Sequence, residues 1–373
     1  MADSNKRKIV ITSVLKPVDD SRMYEKMGLS LACSGKYHVH IIGCESSKSD
    51  NPVIIQHGFK PFSRISLRRA VAPWRIFMLT WRLKPDLLII ATHELLYMAL
   101  FMKLMTRCRV IYDVRENYYW NILYTPAFPL LIKPFLALYV RGKEVLASRY
   151  IDHFFLAERG YEQELKFPAN KYTVIENKVR IPATIKRKPV PLRSKDAIDL
   201  IFSGTLAETT GVFTAIDLAI KLHVIDDRIR LTIIGYCSQH HVLDKIRLLL
   251  QPRPFMKLIV RDRPIPHTEI FEHLQNSDFG LITYQINPST MNSIPTKLYE
   301  YLGFRLPIVL VNHAPWVEFC LASSAAVVFT PPHFDAAVIY REMMTKTFYR
   351  AEPTEVYWET EEPKLLDVVN RLV

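Results

Sequence analysis

The strongest constraint on this chain is a repeating order of short apolar segments and helix-length segments that runs through it twice. In the first half, the apolar segments are rich in β-branched and aromatic residues. Such strands, joined by helices, are typical of a parallel sheet that is covered on both faces. The first half therefore predicts an α/β domain. Its predicted strands are residues 8–12, 38–43, 87–90, 110–113, 153–156 and 170–175.

The same order returns after a segment of different composition. Residues 181–197 contain three prolines, a basic cluster and little apolar content, which predicts a linker. The predicted strands beyond it are residues 198–203, 231–235, 256–260, 279–283, 307–311 and 326–329. We therefore predict two Rossmann-like α/β domains whose parallel sheets face a central cleft. The predicted division is a first domain 1–180, the linker 181–197, a second domain 198–346 and a helical tail 347–373 that returns to the first domain.

Length and composition agree with two folded domains in a reducing compartment. The chain has 373 residues, of which 49% are hydrophobic and 23% are charged. Its five cysteines are odd in number and form no CxxC pair, so neither a disulfide framework nor a zinc site is indicated. No secretory signal is visible, and the apolar stretch 118–140 is interrupted by three prolines and a lysine. We expect a cytoplasmic protein with no membrane-spanning helix.

The net positive charge of the chain, an excess of 12 basic over acidic residues, lies entirely in its first half. Residues 1–185 hold 28 Lys+Arg against 16 Asp+Glu, whereas the remaining residues hold 21 of each. This asymmetry predicts that the first half meets an anionic partner. A phosphorylated substrate and an anionic membrane surface fit this prediction. Nucleic acid ranks last, because no motif that reads nucleic acid is present.

Two segments of the second half carry the pattern of a phosphate site. Residues 202–212, Phe-Ser-Gly-Thr-Leu-Ala-Glu-Thr-Thr-Gly-Val, join a predicted strand to a helix, and helix-start amides suit a diphosphate. A plain strand-to-helix turn is the alternative. In the segment 291–309, Lys297 lies near a predicted helix start, and Glu300 lies one turn further along the same face. The alternative there is a capped helix with a solvated ion pair.

These two segments resemble the donor-binding domain of the GT-B glycosyltransferases, specifically family four, which includes bacterial cell-surface polysaccharide enzymes. The residues that carry the resemblance read S-G-T-L-x-E-x-x-G-V and N-S-I-P-T-K-L-Y-E-Y-L-G-x-x-L-P-I-V. In the first half, the segment from Asp19 and the sequence V-I-Y-D-V-R-E-N from Val110 resemble the acceptor side of that family. The chain also has no Asp-x-Asp triplet, the usual metal clamp of the other major glycosyltransferase fold.

The resemblance implies a nucleotide-sugar donor in the second domain, a saccharide or lipid-linked saccharide acceptor on the first, and transfer with retention of configuration. It implies no cofactor and no metal. It also implies that Glu300 binds the ribose, and the candidate catalytic residues are Glu300, Lys297, Asn292 and Arg115. The implied diphosphate contacts are Ser203, Gly204, Thr205, Gly211 and Lys297; the implied base or ribose pocket is Gly235 and Tyr236; and the implied contacts to sugar and phosphates are Asn292, Ser293, Ile294, Pro295 and Thr296.

The chain departs from the family pattern at four positions. Thr205 and Thr210 stand where many relatives have Arg and Lys, and Asn292 stands where they have Glu. Arg115 replaces the acceptor-side histidine, and Arg holds anions but cannot act as a base. These departures keep open a second hypothesis, a catalytically inactive GT-B subunit that binds a glycan or a partner protein.

Candidate acceptor-side residues follow the predicted strands of the first half. Arg22 and Arg115 are candidate sources of positive charge, and the catalytic base is unassigned among four residues. These four are Asp20, His93, Glu94 and Glu116. The alternative for His93 and Glu94 is a polar helix cap, and the alternative for the Asp19–Arg22 segment is a cap with a salt bridge.

One basic and aromatic segment allows two interpretations. Residues 60–84 hold seven basic residues and no acidic one. In a helix, Trp74, Phe77, Met78 and Trp81 would share one face beside an arginine stripe. Such a face suits an anionic membrane interface, at which the protein would be peripheral, or else the aromatics pack the helix on its own sheet. The stretch 118–140 could extend the membrane face, although apolar stretches are more often core.

Overall fold

The computed structural model divides the chain into two compact units. It describes residues 6–46, 53–62, 66–124, 128–165, 167–182, 185, 196–261, 263–288 and 290–373, except for the Leu67 side chain. The first unit comprises Met1–Arg180, Pro288–Ser293 and Trp358–Val373, and the second comprises Ile181–Asn287 and Ile294–Tyr357. Most of the predicted linker, residues 183–184 and 186–195, lies outside the described residues.

The first unit is built on a seven-stranded sheet in which every described pair is parallel. Its strands are β1 (Arg7–Pro17), β2 (Tyr37–Cys44), β3 (Ile54–Phe59), β4 (Leu87–Ile90), β5 (Arg109–Val114), β6 (His153–Leu156) and β7 (Tyr172–Val174). The strand order is β3-β2-β1-β4-β5-β6-β7. Successive strands are therefore added outward from β1 in one direction and from β4 in the other, so the strand order reverses between β1 and β4.

The second unit repeats this plan with six strands. They are β8 (Ile198–Thr205), β9 (Ile229–Tyr236), β10 (Met256–Arg261), β11 (Phe279–Ile282), β12 (Ile308–Val311) and β13 (Ala326–Phe329). The order is β10-β9-β8-β11-β12-β13, again parallel throughout the described pairs. Here the order reverses between β8 and β11.

The predicted α/β class with two parallel sheets is confirmed, and one strand was missed. Strand β3 pairs with β2 at the edge of the first sheet. Its sequence, Ile-Ile-Gln-His-Gly-Phe, has two polar residues and a glycine at its centre, so it lacks the continuous apolar run of the other strands. An edge strand needs less apolar surface because part of it faces solvent.

Helices connect the strands on both faces of each sheet. In the first unit they are α1 (Leu29–Cys33), which continues a π-helical segment Ser21–Gly28, α2 (Leu67–Leu83), α3 (Leu96–Thr106), α4 (Tyr118–Tyr124), α5 (Lys133–Ser148) and α6 (Tyr161–Leu165). In the second they are α7 (Val212–Ile225), α8 (His240–Leu250), α9 (His267–Gln275), α10 (Thr296–Gly303), α11 (Ala314–Leu321) and α12 (Ala336–Thr345). The last helix, α13 (Glu362–Leu372), belongs to the first unit. No helix in the described ranges is long and apolar enough to cross a membrane.

The end of the chain completes the core of the first unit. Trp358, Leu365 and Val369 are buried in one hydrophobic cluster with residues of β1, β2 and β4. The Trp358 indole donates a hydrogen bond to Ser30 Oγ at 2.9 Å. The fully buried Glu361 pairs with Lys178 Nζ at 2.8 Å. Burial would raise the pKa of Glu361, but Lys178 and Lys364 outweigh it and lower the pKa.

A second buried ion pair joins three elements of the first unit. The Arg22 guanidinium forms a bidentate contact with Asp113 at the end of β5, with distances of 2.7 and 3.0 Å, and its NH1 donates to the Ile175 carbonyl at 2.9 Å. Both side chains are fully buried. A buried charge that loses its partner is costly, because the remaining ion has no water to solvate it.

We therefore expect Arg22→Met to lower the free energy of unfolding by about 3–5 kcal/mol. The control in the same unit is Arg371→Met, which removes an exposed pair with Asp367 and should cost less than about 1 kcal/mol. Urea unfolding followed by circular dichroism measures both. Equal losses in the two variants would contradict the role of the buried pair.

Candidate functional site

The topology of the second unit places a site at the carboxyl ends of β8 and β11. Ligands of open parallel sheets bind beyond the strand ends, where the strand order reverses. Ser203, Gly204 and Thr205 end β8, and Thr283 and Tyr284 follow β11. The two sequence segments that predicted a phosphate site therefore meet within one unit, because α10 carries Lys297 to the end of β8.

Gly204 lets Lys297 approach the backbone at the end of β8. Gly204 has a φ of +112°, a backbone conformation that residues with a side chain rarely adopt. A Cβ atom at this position would lie 2.8 Å from Lys297 Cε and 3.8 Å from its Nζ. The neighbouring Gly235 has no space for a side chain, since a Cβ there would lie 1.8 Å from the Gly204 carbonyl oxygen. Gly204 thus leaves room for the Lys297 side chain over the strand ends, and Gly235 leaves room for the Gly204 backbone.

A tight turn leads from β8 into α7. Gly211, with a φ of +77°, precedes the helix, and a Cβ there would lie 1.7 Å from the Thr283 carbonyl oxygen. The Thr283 hydroxyl donates to the Gly211 carbonyl at 2.8 Å. The Thr210 hydroxyl lies 2.8 Å from the Thr205 carbonyl oxygen and accepts from the Ala207 amide at 3.1 Å. Thr210, where relatives have a charged residue, thus stabilises the turn.

Lys297 and Glu300 form a buried ion pair. Nζ donates to Oε2 at 2.7 Å, and the side chains are only 11% and 2% exposed. This low exposure rules out the alternative of a solvated pair. The neighbouring Leu298, Tyr299 and Tyr301 of the same helix are buried as well. Oε1 of Glu300 is buried and accepts no hydrogen bond from the described residues. A carboxylate oxygen in that position is costly to leave without a donor.

Two tyrosines that the sequence did not indicate surround this carboxylate. The Tyr301 hydroxyl lies 3.1 Å from Ser203 Oγ, which connects α10 to the end of β8. Burial, followed by the nearby Glu300 charge, raises the pKa of Tyr284 to about 12. The pKa of Tyr301 is raised as well, again chiefly by burial. Both phenols therefore stay protonated at neutral pH and can donate hydrogen bonds.

His313 is a further residue that sequence reasoning missed. It follows β12 and precedes α11, and it is 4% exposed. Neither ring nitrogen has a hydrogen-bond partner among the described residues, and burial lowers the pKa. Its ring lies 4.1 Å from the Trp316 ring, which in turn lies 6.0 Å from the Tyr284 ring. Its position just beyond a predicted strand was a usable signal.

The other donor-side candidates divide between the two units. Tyr236, the last residue of β9, is paired in register with Thr205, the last residue of β8. Ile294, Pro295 and Thr296 lie at the start of α10 in the second unit, whereas Ser293 belongs to the first. Asn292 also belongs to the first unit, where its amide donates to Glu164 Oε1 at 2.9 Å.

In the first unit, the strand order reverses between β1 and β4, and Asp20 and Arg115 pair near these strand ends. Arg115 NH2 donates to Asp20 Oδ2 at 3.0 Å, and NH1 lies 2.8 Å from Oδ1. Asp20 also accepts from the Arg22 and Met23 amides, so it caps the helical segment. Burial would raise the pKa of Asp20, but Arg115 and Lys16 hold it well below its usual range. Asp20 is therefore a weak base.

His93 and Glu94 begin the helical turn after β4, and each has a basic partner. Lys143 Nζ lies 2.9 Å from His93 Nδ1, and because an ammonium only donates, Nδ1 accepts. Burial first, and then Lys143 and Arg69, outweigh Glu94 and lower the pKa of His93 to about 4, so the ring is neutral at pH 7. Glu94 is paired with Arg69, while its Oε2 has no hydrogen-bond donor among the described residues.

The remaining acceptor-side candidates differ in exposure. Glu116 is 44% exposed, accepts from Asn121 at 2.9 Å and has Lys16 at 4.0 Å. Arg22 is fully buried against Asp113, which gives it a structural role and leaves its charge neutralised. Across the part of the chain that the structure describes, no group of three or more His, Cys, Asp or Glu could hold a metal ion.

The fold is similar to that of solved glycosyltransferases. Sucrose-phosphate synthase from Thermosynechococcus elongatus is 12% identical and covers 98% of this chain and 99% of its own, with a TM-score of 0.70. Anabaena HepE in complex with UDP-glucose is 12% identical, covers 98% and 99%, and has a TM-score of 0.66. The catalytic domain of Arabidopsis thaliana starch synthase IV, bound to ADP and acarbose, is 10% identical, covers 99% of both chains, and has a TM-score of 0.64.

Sequence comparisons add no closer relation. No family model and no curated protein sequence matches this chain. The structural likeness extends over nearly the whole length of each neighbour. The chain therefore has the GT-B fold of these glycosyltransferases.

Proposed function

We propose that the protein is a retaining glycosyltransferase, of family four type, that uses a nucleotide sugar. In this proposal the acceptor is a saccharide or lipid-linked saccharide, and the pathway is surface polysaccharide biosynthesis. One observation carries the proposal: Gly204, Lys297 and Glu300 converge at the point where the strand order of the second sheet reverses. That point is where parallel α/β sheets bind their ligands.

The donor would be held by its ribose and by its diphosphate. Oε1 of Glu300 has no donor among the described residues, and a ribose hydroxyl would supply one. Lys297, which lies directly over Gly204, would turn its ammonium toward the diphosphate. The amides of the turn that ends at Gly211 would add uncharged donors. The complexes of HepE with UDP-glucose and of starch synthase with ADP support a nucleoside diphosphate as the ligand class.

Catalysis would depend on stabilising the leaving diphosphate. Charge develops on its oxygens as the sugar leaves, and stabilising that charge is usually the largest catalytic term. Thr205 and Thr210 are neutral, so in this proposal Lys297 supplies the positive charge at the strand ends. Retention of configuration does not need a second catalytic carboxylate of the glycosidase kind. The proposal needs neither a metal ion nor another cofactor.

The acceptor would bind to the first unit beyond β1, β4 and β5. Asp20 and His93 are poor bases, because Arg115 stabilises the charged Asp20 and Lys143 occupies His93 Nδ1. Burial would raise the pKa of Glu94, but its neighbours, the paired Arg69 among them, lower it, so Glu94 is a poor base as well. Glu116 remains as the candidate to accept the proton of an acceptor hydroxyl. Arg115 would then orient acceptor or donor oxygens rather than take a proton.

A second candidate function is a GT-B subunit that binds nucleotide without transferring sugar. It is favoured by the contact of Asn292 with Glu164, since the residue that replaces the family glutamate is already engaged in the first unit. It is also favoured by Thr210, which stabilises a turn where relatives carry a charge. Turnover of a donor distinguishes the two functions.

We expect UDP or another nucleoside diphosphate to raise the melting temperature, and Glu300→Gln to abolish most of that rise. Binding to the native state adds about 2.7 kcal/mol at a ligand concentration of about 100 Kd. Losing a charged hydrogen-bond acceptor should weaken binding by about tenfold or more. A thermal-shift panel of nucleoside diphosphates measures both. Glu342→Gln in the exposed part of α12 is the control, and an equal rise in all three proteins would argue against the site.

Gly204→Ala tests the close approach of Lys297. The added Cβ would lie 2.8 Å from Lys297 Cε in a backbone conformation with φ +112°, so Lys297 must shift. We expect the nucleotide-dependent rise in melting temperature to shrink by at least half, an order-of-magnitude expectation for a displaced charged contact. Gly142→Ala, where a Cβ meets nothing within 4 Å, should keep the full rise. A full rise in Gly204→Ala would show that Lys297 does not contact the ligand.

Turnover is the decisive test of transfer. With UDP-glucose as donor and water as acceptor, we expect slow release of UDP and of glucose with retained anomeric configuration, followed by proton NMR. Lys297→Met should lower kcat by about 10²–10³. Lys221→Met, which removes an exposed pair with Asp217, should leave kcat unchanged. Nucleotide binding without any release of UDP, across donors and sugar acceptors, would favour the binding subunit.

A further inference from the structure

Helix α5 carries its apolar residues outward and its charges inward. Phe135, Leu138 and Leu146 are exposed, with Phe135 at 76%. The preceding Leu130 and Leu131 are 80% and 88% exposed. A crossover helix of a soluble domain normally shows the opposite pattern, because its apolar stripe covers the sheet and its polar face meets water.

The inward face of α5 explains why the charges are there. Lys133 Nζ donates to the Leu123 carbonyl at 3.3 Å, Lys143 contacts His93, and Glu144 accepts from the Tyr112 hydroxyl at 2.9 Å. All three side chains are buried and partnered. The outward residues recur at intervals of three and four, at positions 135, 138, 139, 142, 145, 146 and 149, so they share one face.

Two neighbouring helices extend this face. Phe77 of α2 packs against Phe101 of α3 with ring centroids 5.5 Å apart, and Lys143 of α5 lies 5.6 Å from the Tyr97 ring of α3. Helix α3 therefore lies between α2 and α5 on one side of the first sheet. We call the exposed apolar surface of these three helices the outer face; its members include Trp74, Met78, Trp81, Tyr97, Phe101, Leu104, Met105, Leu138 and Tyr139.

The outer face corrects the packing interpretation of residues 60–84. The residues that α2 buries are Ala72, Ile76 and Thr80, whereas Trp74 is 62% exposed. Trp74, Met78 and Trp81 therefore do not pack the helix on its sheet, whereas Phe77, the fourth residue of that predicted face, does pack against the core of the first unit. Likewise, the stretch 118–140 is only partly core: Ile122, Ala137 and Val140 are buried, while residues 125–127 lie outside the described residues.

The exposed charges on the three helices are of one sign. Glu144 is their one acidic residue, and its side chain is 4% exposed. Basic side chains are exposed along α2 and just after the three helices, whose carboxyl ends lie at the same edge because all three connect parallel strands. These side chains are Arg68, Arg75, Arg82, Lys84, Arg107 and Arg149.

A basic cavity adjoins α2. It has a volume of about 330 Å³ and is lined by Lys60, Arg68 and Arg75, with Phe59, Phe62 and one carboxylate, Glu45, among its walls. Three cations around an opening of this size suit the phosphate of a lipid headgroup.

We propose that the outer face inserts into the interface of an anionic lipid bilayer. Apolar side chains would enter the headgroup and acyl boundary, and tryptophan and tyrosine rings would lie at headgroup level. The exposed arginines would meet anionic headgroups. A second copy of this chain fits less well, because an isologous contact would place basic residues against the same basic residues with no exposed acid on these helices to neutralise them.

The outer face adjoins the acceptor-side residues. Lys143 contacts both the Tyr97 ring of the outer face and the His93 ring beyond β4. His93 and the basic residues that follow the three helices lie at opposite edges of the sheet, so the outer face must lie flat on the bilayer for both to approach the headgroups, where a lipid-linked acceptor presents its sugar. This last step rests on the proposed function, whereas insertion itself does not.

Flotation with vesicles tests the insertion. We expect the full chain to float with vesicles of phosphatidylcholine containing about one third phosphatidylglycerol, and to float less with phosphatidylcholine alone or at high salt. Leu131→Gln/Phe135→Gln should lower the partition coefficient by about tenfold or more, because two large apolar side chains no longer enter the interface. The control is Val224→Gln/Leu248→Gln, whose residues are 82% and 69% exposed in the second unit and should not affect flotation.

The charge contribution has its own pair of variants. Arg75→Gln/Arg82→Gln should weaken binding to the anionic vesicles and remove most of its salt dependence. Arg341→Gln/Arg350→Gln, exposed in the second unit, should change neither. Because all these side chains are exposed, the variants should fold, and the nucleotide-dependent rise in melting temperature reports separately on the proposed function.

Three outcomes would overturn the proposal. One is absence of flotation with anionic vesicles at low salt. Another is wild-type flotation by Leu131→Gln/Phe135→Gln. The third is a dimer on size-exclusion chromatography with light scattering that this variant converts to a monomer, with no flotation by either protein; the outer face would then bind a second copy.

Discussion

Parallel strand pairing is the constraint on which the rest of this structure depends. Parallel sheets are stable when helices cover both faces, and each crossover must carry the chain back along the sheet. This requirement explains the near-continuous apolar strands and the role of α13, which returns to the first unit and supplies Trp358, Leu365 and Val369 to its core. It also fixes where chemistry can occur, because every strand delivers its carboxyl end to one edge.

Buried charges in both units are held by geometry rather than by solvent. Arg22 with Asp113, and Lys297 with Glu300, are removed from water, so each ion must find its stabilisation in its partner. The first pair is complete: two guanidinium nitrogens of Arg22 donate to Asp113, and the third, NH1, donates to the Ile175 carbonyl. The second pair is incomplete, since no residue that the structure describes donates a hydrogen bond to Oε1 of Glu300. An incomplete buried pair at the ends of the strands is what a ligand-binding site requires.

The sequence predicted features that are local and missed those that depend on distant partners. Gly204, Lys297 and Glu300 could be predicted because strand ends, helix starts and a spacing of three residues are visible in the sequence. The contact of Tyr301 with Ser203 spans 98 residues, and no local pattern announces it. For the Asp19–Arg22 segment the sequence offered acceptor contact or a cap with a salt bridge, and the structure shows the latter. The partner of Arg22, Asp113, lies 91 residues away and could not be identified from the sequence.

Orientation was the other limit of sequence reasoning. An apolar run is usually core, and the alternation of Leu, Phe and Tyr with Lys and Glu in α5 fixes a helix period but not which face turns inward. The sheet settled the matter through single contacts: Tyr112 on β5 holds Glu144, and His93 after β4 holds Lys143. These two hydrogen bonds hold the charged face of α5 against the sheet, so the apolar face lies on the outside.

The charge asymmetry of the chain has two physical sources. Some basic residues of the first unit are neutralised internally, as Arg22 with Asp113 and Lys178 with Glu361 show, and these carry no information about an external partner. The basic residues that remain exposed on α2 and after α3 and α5 have no exposed acid on the same helices beside them. Exposed basic residues also lie elsewhere in the first unit, among them Arg7 and Arg159, but these two pair with Asp86 and Glu176. Lys297 and Arg115, the cations described at the strand ends, already have carboxylate partners, whereas a planar anionic surface would meet the exposed basic residues of the outer face together, which is the distribution on which the proposed insertion rests.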